Sequence, residues 1–286
     1  MQIIDYSGIA VAAIFSQDAP EQIEEGMIRH MILNRIRSFN TQFREEYGET
    51  IIACDSSSWR KRVFPQYKAA RKKTRDASPL DWGKLFDLIS LIREEIRENF
   101  PYRVLQADGG EADDIIGHLV EKTQEFGQNE PVLIVSGDKD FLQLHRYKNV
   151  KQFSPIKRDF ITTENPDFYL FEHICRGDSS DGVPNVLSGD DTFVENGRQR
   201  PLRSSKIQGW YQQRDQLSEV MDQNTYRNYC RNNKMINLNH TPNEIREEID
   251  SLYTSEANKK NGKIFGYLIE KRCNMLIECA QDFYSK

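Results

Sequence analysis

One stretch of the chain reads Val132-Leu133-Ile134-Val135-Ser136-Gly137-Asp138-Lys139-Asp140. It opens with consecutive apolar, mostly β-branched residues, which is typical of a strand that is buried on both faces. Ser136 and Gly137 end the strand, and two acids follow at a spacing of two residues. In extended backbone this spacing points both side chains the same way. The stretch therefore predicts a buried strand that delivers two carboxylates to the edge of a sheet.

Other short apolar runs alternate with longer segments of helical periodicity. The predicted strands cover residues 2–5, 50–54, 102–105 and 132–135, with a further candidate at 149–153. Apolar residues at steps of three to five predict helices over residues 22–47, 82–100 and 111–126. Strands that alternate with helices predict an α/β fold, in which a parallel sheet is covered by helices on both faces.

The character of the chain changes after about residue 165. Strand-like runs disappear, residues 177–200 are rich in Gly, Asp and Asn, and helices are predicted at 204–215, 243–257 and 264–284. We therefore predict two parts. Residues 1–165 form an α/β core that includes a basic segment at 56–78, and residues 166–286 form a helical subdomain packed on this core.

Composition bounds the kind of protein. The 286 residues carry a net charge of −5, their mean hydropathy is −0.70, and no apolar run is long enough to span a membrane. Five scattered cysteines without a CxxC pair indicate neither a zinc site nor a disulfide framework. The charge is strongly segregated, because residues 56–75 hold eight basic side chains and no acidic one. Such sorting predicts contact with a polyanion in one place and a cation in another.

Acids follow several predicted strands at their carboxyl ends, where ligands bind to parallel sheets. These acids are Asp5, Asp55, Glu111, Asp113, Asp138 and Asp140, and the turn at 177–181 adds Asp178 and Asp181. Each acid alone is equally typical of a helix cap or a surface turn. Together they would repel one another unless a cation compensates them, and carboxylates without His or Cys favour Mg²⁺ or Mn²⁺. The sequence therefore predicts a divalent metal site.

Basic residues follow Asp55 directly. As a phosphate-binding segment they would offer Arg60, Arg62, Lys68, Arg71, Lys72 and Arg75. Lys68, Arg71 and Arg75 would share one helical face, and the aromatic residues Trp59, Phe64 and Tyr67 would either stack on bases or anchor the segment by packing. A second group, in which Arg198, Arg200, Arg203 and Lys206 surround Ser204-Ser205, fits either a phosphate site at a helix start or a capped surface helix.

Short motifs also occur in a fixed order. They are Ile4-Asp5, Cys54-Asp55, Pro65-Gln66-Tyr67-Lys68-Ala69-Ala70-Arg71, Glu111-Ala112-Asp113-Asp114, Ser136-Gly137-Asp138-Lys139-Asp140 and Gly177-Asp178-Ser179-Ser180-Asp181. In this order they resemble the flap endonuclease and 5′→3′ exonuclease family, and within it the phage ribonuclease H branch. The resemblance covers nearly the whole chain. It implies a PIN-like 5′-nuclease core, an arch over the active site and a helix–two-turns–helix-like DNA-binding element in the helical subdomain.

The resemblance also implies an activity and a role for each site residue. The enzyme would use two Mg²⁺ ions, with Mn²⁺ as a substitute, to cut 5′ flaps and to degrade RNA–DNA and DNA–DNA duplexes from 5′ ends. Asp5, Asp55, Glu111, Asp113 and Asp138 would surround the first ion, and Asp138 would be essential for cleavage. Asp140 and Asp181 would hold the second ion, with Asp178 nearby. Lys68 and Arg71 would grip the scissile phosphate, while Arg60, Arg62, Tyr67, Lys72, Arg75 and residues 203–206 would contact nucleic acid.

The implied setting is phage DNA replication in the host bacterial cytoplasm, where a monomer would remove RNA primers from lagging-strand fragments. Its partners would be branched or nicked duplex DNA, RNA–DNA hybrid, a single-stranded-DNA-binding protein and the sliding clamp. The chain lacks a clear clamp-binding box, and it lacks the later glycines of the family hairpin, which leaves a potassium site there open. Two alternatives stay open: a PIN-like endoribonuclease for single-stranded RNA, and a catalytically silent module that binds branched DNA.

Overall fold

Six strands form one sheet in the computed structural model, which describes residues 1–15, 24–125, 128–195, 197–258 and 263–284 apart from the side chains of 72–74. The strands are β1 (Gln2–Asp5), β2 (Thr50–Ala53), β3 (Arg103–Leu105), β4 (Val132–Val135), β5 (Val150–Ser154) and β6 (Asp159–Ile161). The five predicted strands are confirmed to within one residue at each end, and β6 is an addition.

The strand order places β1 at the point where the chain changes direction. The order is β3-β2-β1-β4-β5-β6, and every neighbouring pair is parallel except β5 and β6. The chain builds β2 and β3 on one side of β1 and then crosses to β4 on the other side. In parallel sheets, ligands bind in the crevice that opens at such a reversal. Asp5 ends β1, and Asp138 follows β4 on the opposite side of this crevice.

The α-helices of the first part cover both faces of the sheet. They are α1 (Tyr6–Ile14), α2 (Glu25–Tyr47), α3 (Arg60–Val63), α4 (Ala69–Asp76), α5 (Trp82–Asn99) and α6 (Ala112–Gln124). Alternate strand residues face opposite sides, so Ile4 packs with α1, α2 and α5, whereas Ile3 packs with α6. Both faces are apolar, which is why the strands read as continuous hydrophobic runs. The predicted α/β architecture is confirmed.

The second part is helical, as predicted, but its helices are shorter and more numerous. They are α7 (Pro166–Arg176), α8 (Ser204–Gln212), α9 (Leu217–Val220), α10 (Gln223–Ile236), α11 (Asn243–Ser255), α12 (Ile264–Glu270) and α13 (Asn274–Ile277). The prediction contained neither α7 nor α10. The prediction of a continuous helix over 264–284 is also wrong. Arg272 has a φ of 55°, in the left-handed region, and interrupts the helix between α12 and α13. None of the helices in the described ranges combines the length and apolar character of a membrane span.

The last described residues return to the core. Ile264, Tyr267 and Phe283 belong to the same buried cluster as α2 and α5. The Asn40 amide donates to the backbone oxygen of Asp282 at 2.7 Å, and the Phe283 ring meets Phe100 with centroids 5.0 Å apart. The α12–α13 region therefore completes the first face of the sheet, while α7, α8 and α10 share a separate buried cluster of their own.

The basic segment 56–78, which we call the arch, forms two short helices, α3 and α4. Lys68 precedes α4 and has a φ of 57°, in the left-handed region. Its backbone N–H donates to the carbonyl oxygen of Asp181 at 2.7 Å, which ties the arch to the 177–182 turn. The prediction that Lys68, Arg71 and Arg75 share one helical face is therefore wrong, because Lys68 lies outside the helix.

Gly177 fixes the turn that follows α7. Its φ is 67°, and a Cβ there would lie 2.3 Å from the Val183 carbonyl oxygen. We expect Gly177→Ala to lower the free energy of unfolding by about 3 kcal/mol, because both the backbone and its neighbour would have to shift. Chemical denaturation measures this loss. Gly189→Ala is the control, since a Cβ at Gly189 meets nothing within 4 Å; equal effects of the two substitutions would contradict the expectation.

Candidate metal centre and nucleic-acid cleft

The acids after β1 and β2 both cap neighbouring backbone. Asp5 accepts from the Gly8 N–H at 3.0 Å through Oδ1 and from the Ser136 hydroxyl at 2.9 Å through Oδ2. Asp55 accepts from the Ala112 N–H at 2.9 Å, at the start of α6. A capping role and a position at the sheet edge are thus compatible, because helices start where the strands end. These hydrogen bonds fix both carboxylates beside the crevice.

Glu111 is the most densely contacted acid of the site. Its carboxylate accepts from the hydroxyls of Ser58 and Tyr67, each at 2.9 Å, and forms ion pairs with Arg60 and Lys68. Burial disfavours its charged form, but Lys68 and Arg60 outweigh burial and hold the pKa of Glu111 below its usual range. The carboxylate therefore stays ionised although the residue is only 5% exposed.

The acids of α6 and of the loop after β4 face one another. Burial, followed by the negative charges of Asp138 and Glu111, raises the pKa of Asp113 well above its usual value. Asp138 accepts from the Asp140 N–H at 2.9 Å and begins a 3₁₀ helix over Lys139–Arg146. Burial, Asp138 and Asp178 likewise raise the pKa of Asp140.

The turn after α7 brings the remaining two acids. Asp178 accepts from the Ser180 N–H at 2.7 Å, which holds the turn. Asp181 accepts from the Tyr67 hydroxyl at 2.7 Å, forms an ion pair with Arg71 and lies 3.5 Å from the Lys68 Nζ. The turn thus joins the arch to the acids of the sheet edge.

Eight carboxylates thereby form one group, which we call the acid cluster: Asp5, Asp55, Glu111, Asp113, Asp138, Asp140, Asp178 and Asp181. Burial and the charges of Asp55 and Asp138 raise the pKa of Asp5 to about 6. A divalent cation relieves the mutual repulsion of carboxylates that lie close together, and oxygen donors are the ligands that Mg²⁺ and Mn²⁺ prefer. The donor set therefore fits such an ion. The metal-ligand role of each individual residue remains a prediction.

The raised carboxyl pKa values determine how stability depends on pH. The folded chain holds protons on Asp5, Asp113 and Asp140 that the unfolded chain releases at lower pH. The contribution of Asp5 to stability is present below pH ~4 and is lost as pH rises through its folded pKa of about 6. The contributions of Asp113 and Asp140 are likewise lost as pH rises through their raised pKa values. In EDTA at pH ~7.5, Asp140→Asn should therefore melt about 2–5 °C above the wild type, and the difference should shrink at pH ~5. Calorimetric scans at both pH values test this; a lower melting temperature for the variant at pH ~7.5 would contradict it.

His173 of α7 also reaches the acid cluster, and sequence reasoning missed it. Its Nδ1 lies 3.3 Å from Asp140 Oδ1, and His173, Asp140 and Asp178 each offer a ligand atom within 4.8 Å of the others. Burial lowers the pKa of His173. No spacing rule links residue 173 to residue 140, so only the packing of α7 on the 3₁₀ helix reveals this proximity.

A cleft of about 780 Å³ opens between the arch, α1 and α5. Apolar side chains such as Tyr6, Trp82 and Phe86 form part of its wall, and the acids Asp55 and Glu111 also line it. Its basic lining residues are Lys61, Lys68, Arg71, Arg75 and Arg93. Cations beside acids suit a phosphate chain that approaches a metal site. Lys61 belongs to the basic segment that the sequence analysis predicted. Arg93 was missed, because it lies on the separate helix α5 and no local pattern links it to the arch.

Two of the side chains predicted to contact nucleic acid, Arg60 and Tyr67, are buried in the structure. Arg60 is 2% exposed, and its guanidinium donates hydrogen bonds to Asp114, Glu111 and the backbone oxygen of Met235. Tyr67 is 4% exposed, and its hydroxyl is bound to Glu111 and Asp181. Neither side chain is free to reach a strand. Both instead fasten the base of the arch to the core, and Arg60 does so because Asp114 is fully buried and needs a counter-charge.

The aromatic residues of the arch pack against the core. Trp59, Phe64 and Tyr67 are all buried in the cluster beneath α6. The Trp59 indole N–H also donates to Asp114 at 3.2 Å. They therefore anchor the arch and do not stack on bases. Stacking would require exposed rings.

The other predicted nucleic-acid residues lie at the surface or at the cleft. Arg62 is exposed near Gly109, and Arg75 lies over the Phe86 ring at 5.4 Å in the cleft. The side chain of Lys72 is outside the described part. Arg203, Ser204, Ser205 and Lys206 are all exposed at the start of α8. There the Ser204 hydroxyl accepts from Arg176 at 2.8 Å, and the Arg203 side chain makes no capping hydrogen bond to the first N–H groups. The start of α8 thus offers free donors for a phosphate.

Comparison with known families agrees with this geometry. The family profile for the 5′-3′ exonuclease N-terminal resolvase-like domain matches residues 1–168, and the profile for the T4 RNase H C-terminal domain matches residues 165–283. The chain belongs to the 5′-3′ exonuclease family. The family is one of nucleases, which hydrolyse phosphodiester bonds, so the predicted enzyme class and the predicted resemblance are both confirmed.

Relatives within this family cover different shares of the chain. Ribonuclease H of Enterobacteria phage T4 is 32% identical over 98% of this chain and 95% of its own length. The 5′-3′ exonuclease of Buchnera aphidicola from Schizaphis graminum is 32% identical, over 58% of this chain and 57% of its own length. The first match spans both parts of the chain, whereas the second covers little more than half of it.

Two solved structures of bacteriophage T5 share the fold. The T5 5′-exonuclease with bound zinc has a TM-score of 0.61 at 14% identity and covers 90% of this chain and 97% of its own. A T5 flap endonuclease in a pseudo-enzyme–product complex with DNA and metal ions also has a TM-score of 0.61, at 15% identity, over 90% and 99% of the two chains. At these identities the likeness shows the fold alone, which is that of the 5′ nucleases.

Proposed function

We propose that this protein is a Mg²⁺-dependent, structure-specific 5′ nuclease that cuts 5′ flaps and degrades RNA–DNA and DNA–DNA duplexes from their 5′ ends. The observation that carries the proposal is the acid cluster, whose members come from several strand ends and one turn and lie beside a basic cleft. Structural caps alone would not require so many carboxylates close enough to repel one another.

Two divalent ions would be held by different parts of the cluster. The first would be bound by Asp5, Asp55, Glu111, Asp113 and Asp138. The second would be bound by Asp140 and Asp181, with Asp178 nearby. When bound, such ions stabilise the negative charge that develops on phosphate oxygens during hydrolysis. The raised pKa values of Asp113 and Asp140 support this assignment, since both residues lie where negative charge is most crowded.

Lys68 and Arg71 would bind the scissile phosphate. Both are basic residues of the arch that already lie against acids of the cluster, Lys68 beside Glu111 and Arg71 beside Asp181. A phosphodiester entering the cleft would exchange these carboxylate contacts for phosphate contacts of the same charge type. Lys61, Arg75 and Arg93 would guide the 5′ strand along the cleft by their charge.

The helical part would hold the duplex beside the cleavage point. Residues 203–206 present exposed Arg, Ser and Lys side chains at the start of α8, which suits backbone phosphates and no particular base. A similarity to T4 ribonuclease H over nearly the full chain supports a role in phage DNA replication, in which RNA primers are removed from lagging-strand fragments in the host cytoplasm.

One cleavage assay tests the proposal. A duplex with a 5′-labelled single-stranded flap is incubated with the full chain in Mg²⁺ and, in parallel, in EDTA. We expect cleavage near the flap junction in Mg²⁺ and none in EDTA, because the acid cluster needs a divalent ion. RNA–DNA hybrid and nicked duplex serve as further substrates, and a single-stranded RNA of the same length is the control.

Other outcomes would select the alternatives. Internal cuts in single-stranded RNA with an intact flap would indicate a PIN-like endoribonuclease. Tight binding of the flap without any Mg²⁺-dependent product would indicate a silent DNA-binding module. Either result would overturn the proposed function.

A further inference from the structure

His173 carries a nitrogen donor that is turned toward the acid cluster. Its Nδ1 is shielded from solvent and, within the described residues, has no hydrogen-bond partner of acceptable geometry. It lies 3.3 Å from Asp140 Oδ1, and one carboxylate oxygen of Asp178 completes a set of three donors within 4.8 Å of one another. A buried imidazole nitrogen between two carboxylates is the arrangement of a chelating group.

The distances agree with a single ion. Octahedral divalent ions bind oxygen and nitrogen at about 2.0–2.2 Å, so adjacent donors lie about 3 Å apart and opposite donors about 4.3 Å apart. The Nδ1–Oδ1 separation of 3.3 Å falls near the first value, and the outer limit of 4.8 Å allows for the second. The three side chains would need only small movements to share an ion.

Local structure holds the imidazole in this place. Asn165 caps α7 through a 2.9 Å hydrogen bond from the Phe168 N–H, and Pro166 occupies the first turn, so the start of the helix is fixed. The Tyr169 ring meets the His173 ring edge-on, with centroids 5.9 Å apart. The helix and the tyrosine together fix both the position and the plane of the imidazole.

We propose that His173 is a direct ligand of the second divalent ion through Nδ1, so that this site prefers a first-row transition-metal ion such as Mn²⁺ or Co²⁺ to Mg²⁺. The inference rests on the proposed function, because it concerns the same metal centre. Imidazole nitrogen is a softer donor than carboxylate oxygen, and it strengthens binding of transition-metal ions much more than binding of Mg²⁺. The mixed donor set of His173, Asp140 and Asp178 therefore confers metal selectivity.

Mn²⁺ itself is the probe for the test. Titration of the full chain with Mn²⁺, followed by electron paramagnetic resonance, counts bound ions, and electron spin echo modulation detects a nitrogen ligand. We expect the wild type to show imidazole nitrogen coupling. His173→Ala should lose this coupling and bind the second Mn²⁺ at least about tenfold more weakly, with Mg²⁺ affinity changed by less than about threefold.

Two further variants make the test specific. His173→Asn keeps a polar atom near the position of Nδ1, so it should fold and bind Mn²⁺ through oxygen without the imidazole signal. His145→Ala removes another partly buried histidine, which lies on the same 3₁₀ helix (Lys139–Arg146) as Asp140 but outside the donor set, and this variant should keep the wild-type signal.

The outcomes separate this inference from the proposed function. Wild-type chain that binds Mn²⁺ without nitrogen coupling, or His173→Ala that binds it as tightly as wild type, would overturn the role of His173 and leave the nuclease standing. Wild-type chain that binds no Mn²⁺ at all would overturn both. Loss of coupling in His145→Ala would also overturn the assignment to His173.

Discussion

Asp138→Asn should lower the rate of flap cleavage by at least about a thousandfold in Mg²⁺ and change the affinity for the flap by less than about threefold. Asp138 adds negative charge to Asp5, Asp113 and Asp140, so it lies at the centre of the acid cluster. An amide of the same shape keeps the cap on the Asp140 N–H but removes the charge that a metal ion needs. Single-turnover cleavage and equilibrium binding in Ca²⁺ measure the two quantities.

Asp87→Asn is the matched control for this substitution. Asp87 is exposed on α5 and does not line the cleft, so its replacement should leave both the rate and the affinity unchanged. Asp138→Asn protein that cuts at near the wild-type rate would contradict the role of Asp138. A parallel loss of binding would instead indicate damage to the substrate-binding surface.

Lys68→Ala should lower the single-turnover rate constant by about a hundredfold and weaken binding by less than about fivefold. The Lys68 ammonium lies against Glu111 and 3.5 Å from Asp181, so it stands beside the acids where the phosphate would react. Lys68 is one of several basic residues in the cleft, so its loss should lower the total affinity only a little. Because Lys68 lies next to the acid cluster, its loss should affect the reacting phosphate much more.

Lys61→Ala provides the comparison. Lys61 is exposed and lines the same cleft without contacting the acid cluster through any hydrogen bond or ion pair among the described residues. Lys61→Ala should therefore weaken substrate binding modestly, with a larger effect at low salt, and change the single-turnover rate constant by less than about twofold. An unchanged rate constant for Lys68→Ala would remove Lys68 from the reaction.

The strands and their acids were predictable because both signals are local. Runs such as Val132–Val135 are continuous and β-branched, and the parallel topology then requires the acids that follow them to meet at one edge. The choice of Asp113 over Asp114 as a cluster member needed the family motif. The structure gives a physical reason for it, because Asp114 points into the core and binds Arg60, Trp59 and Thr241.

The residues that sequence reasoning misplaced depend on tertiary contacts. Arg60 appears in a run of basic residues, yet it is buried because it pairs with Asp114 of α6 and with Glu111, which caps that helix. The helix α7 was missed although Asn165-Pro166 and Gly177 are good start and stop signals and Phe168, Phe171 and Ile174 recur at steps of three. Because the sequence analysis did not predict α7, it could not place His173 next to Asp140, which lies on a different element.

A calorimetric titration with Mg²⁺ tests most directly whether the acid cluster is a metal centre. We predict that the full chain takes up two Mg²⁺ ions, and that Asp113→Asn and Asp140→Asn each lose at least one of them while their unfolding stays cooperative. Wild-type protein that absorbs no Mg²⁺ at millimolar concentration, or variants that bind it as the wild type does, would contradict the account.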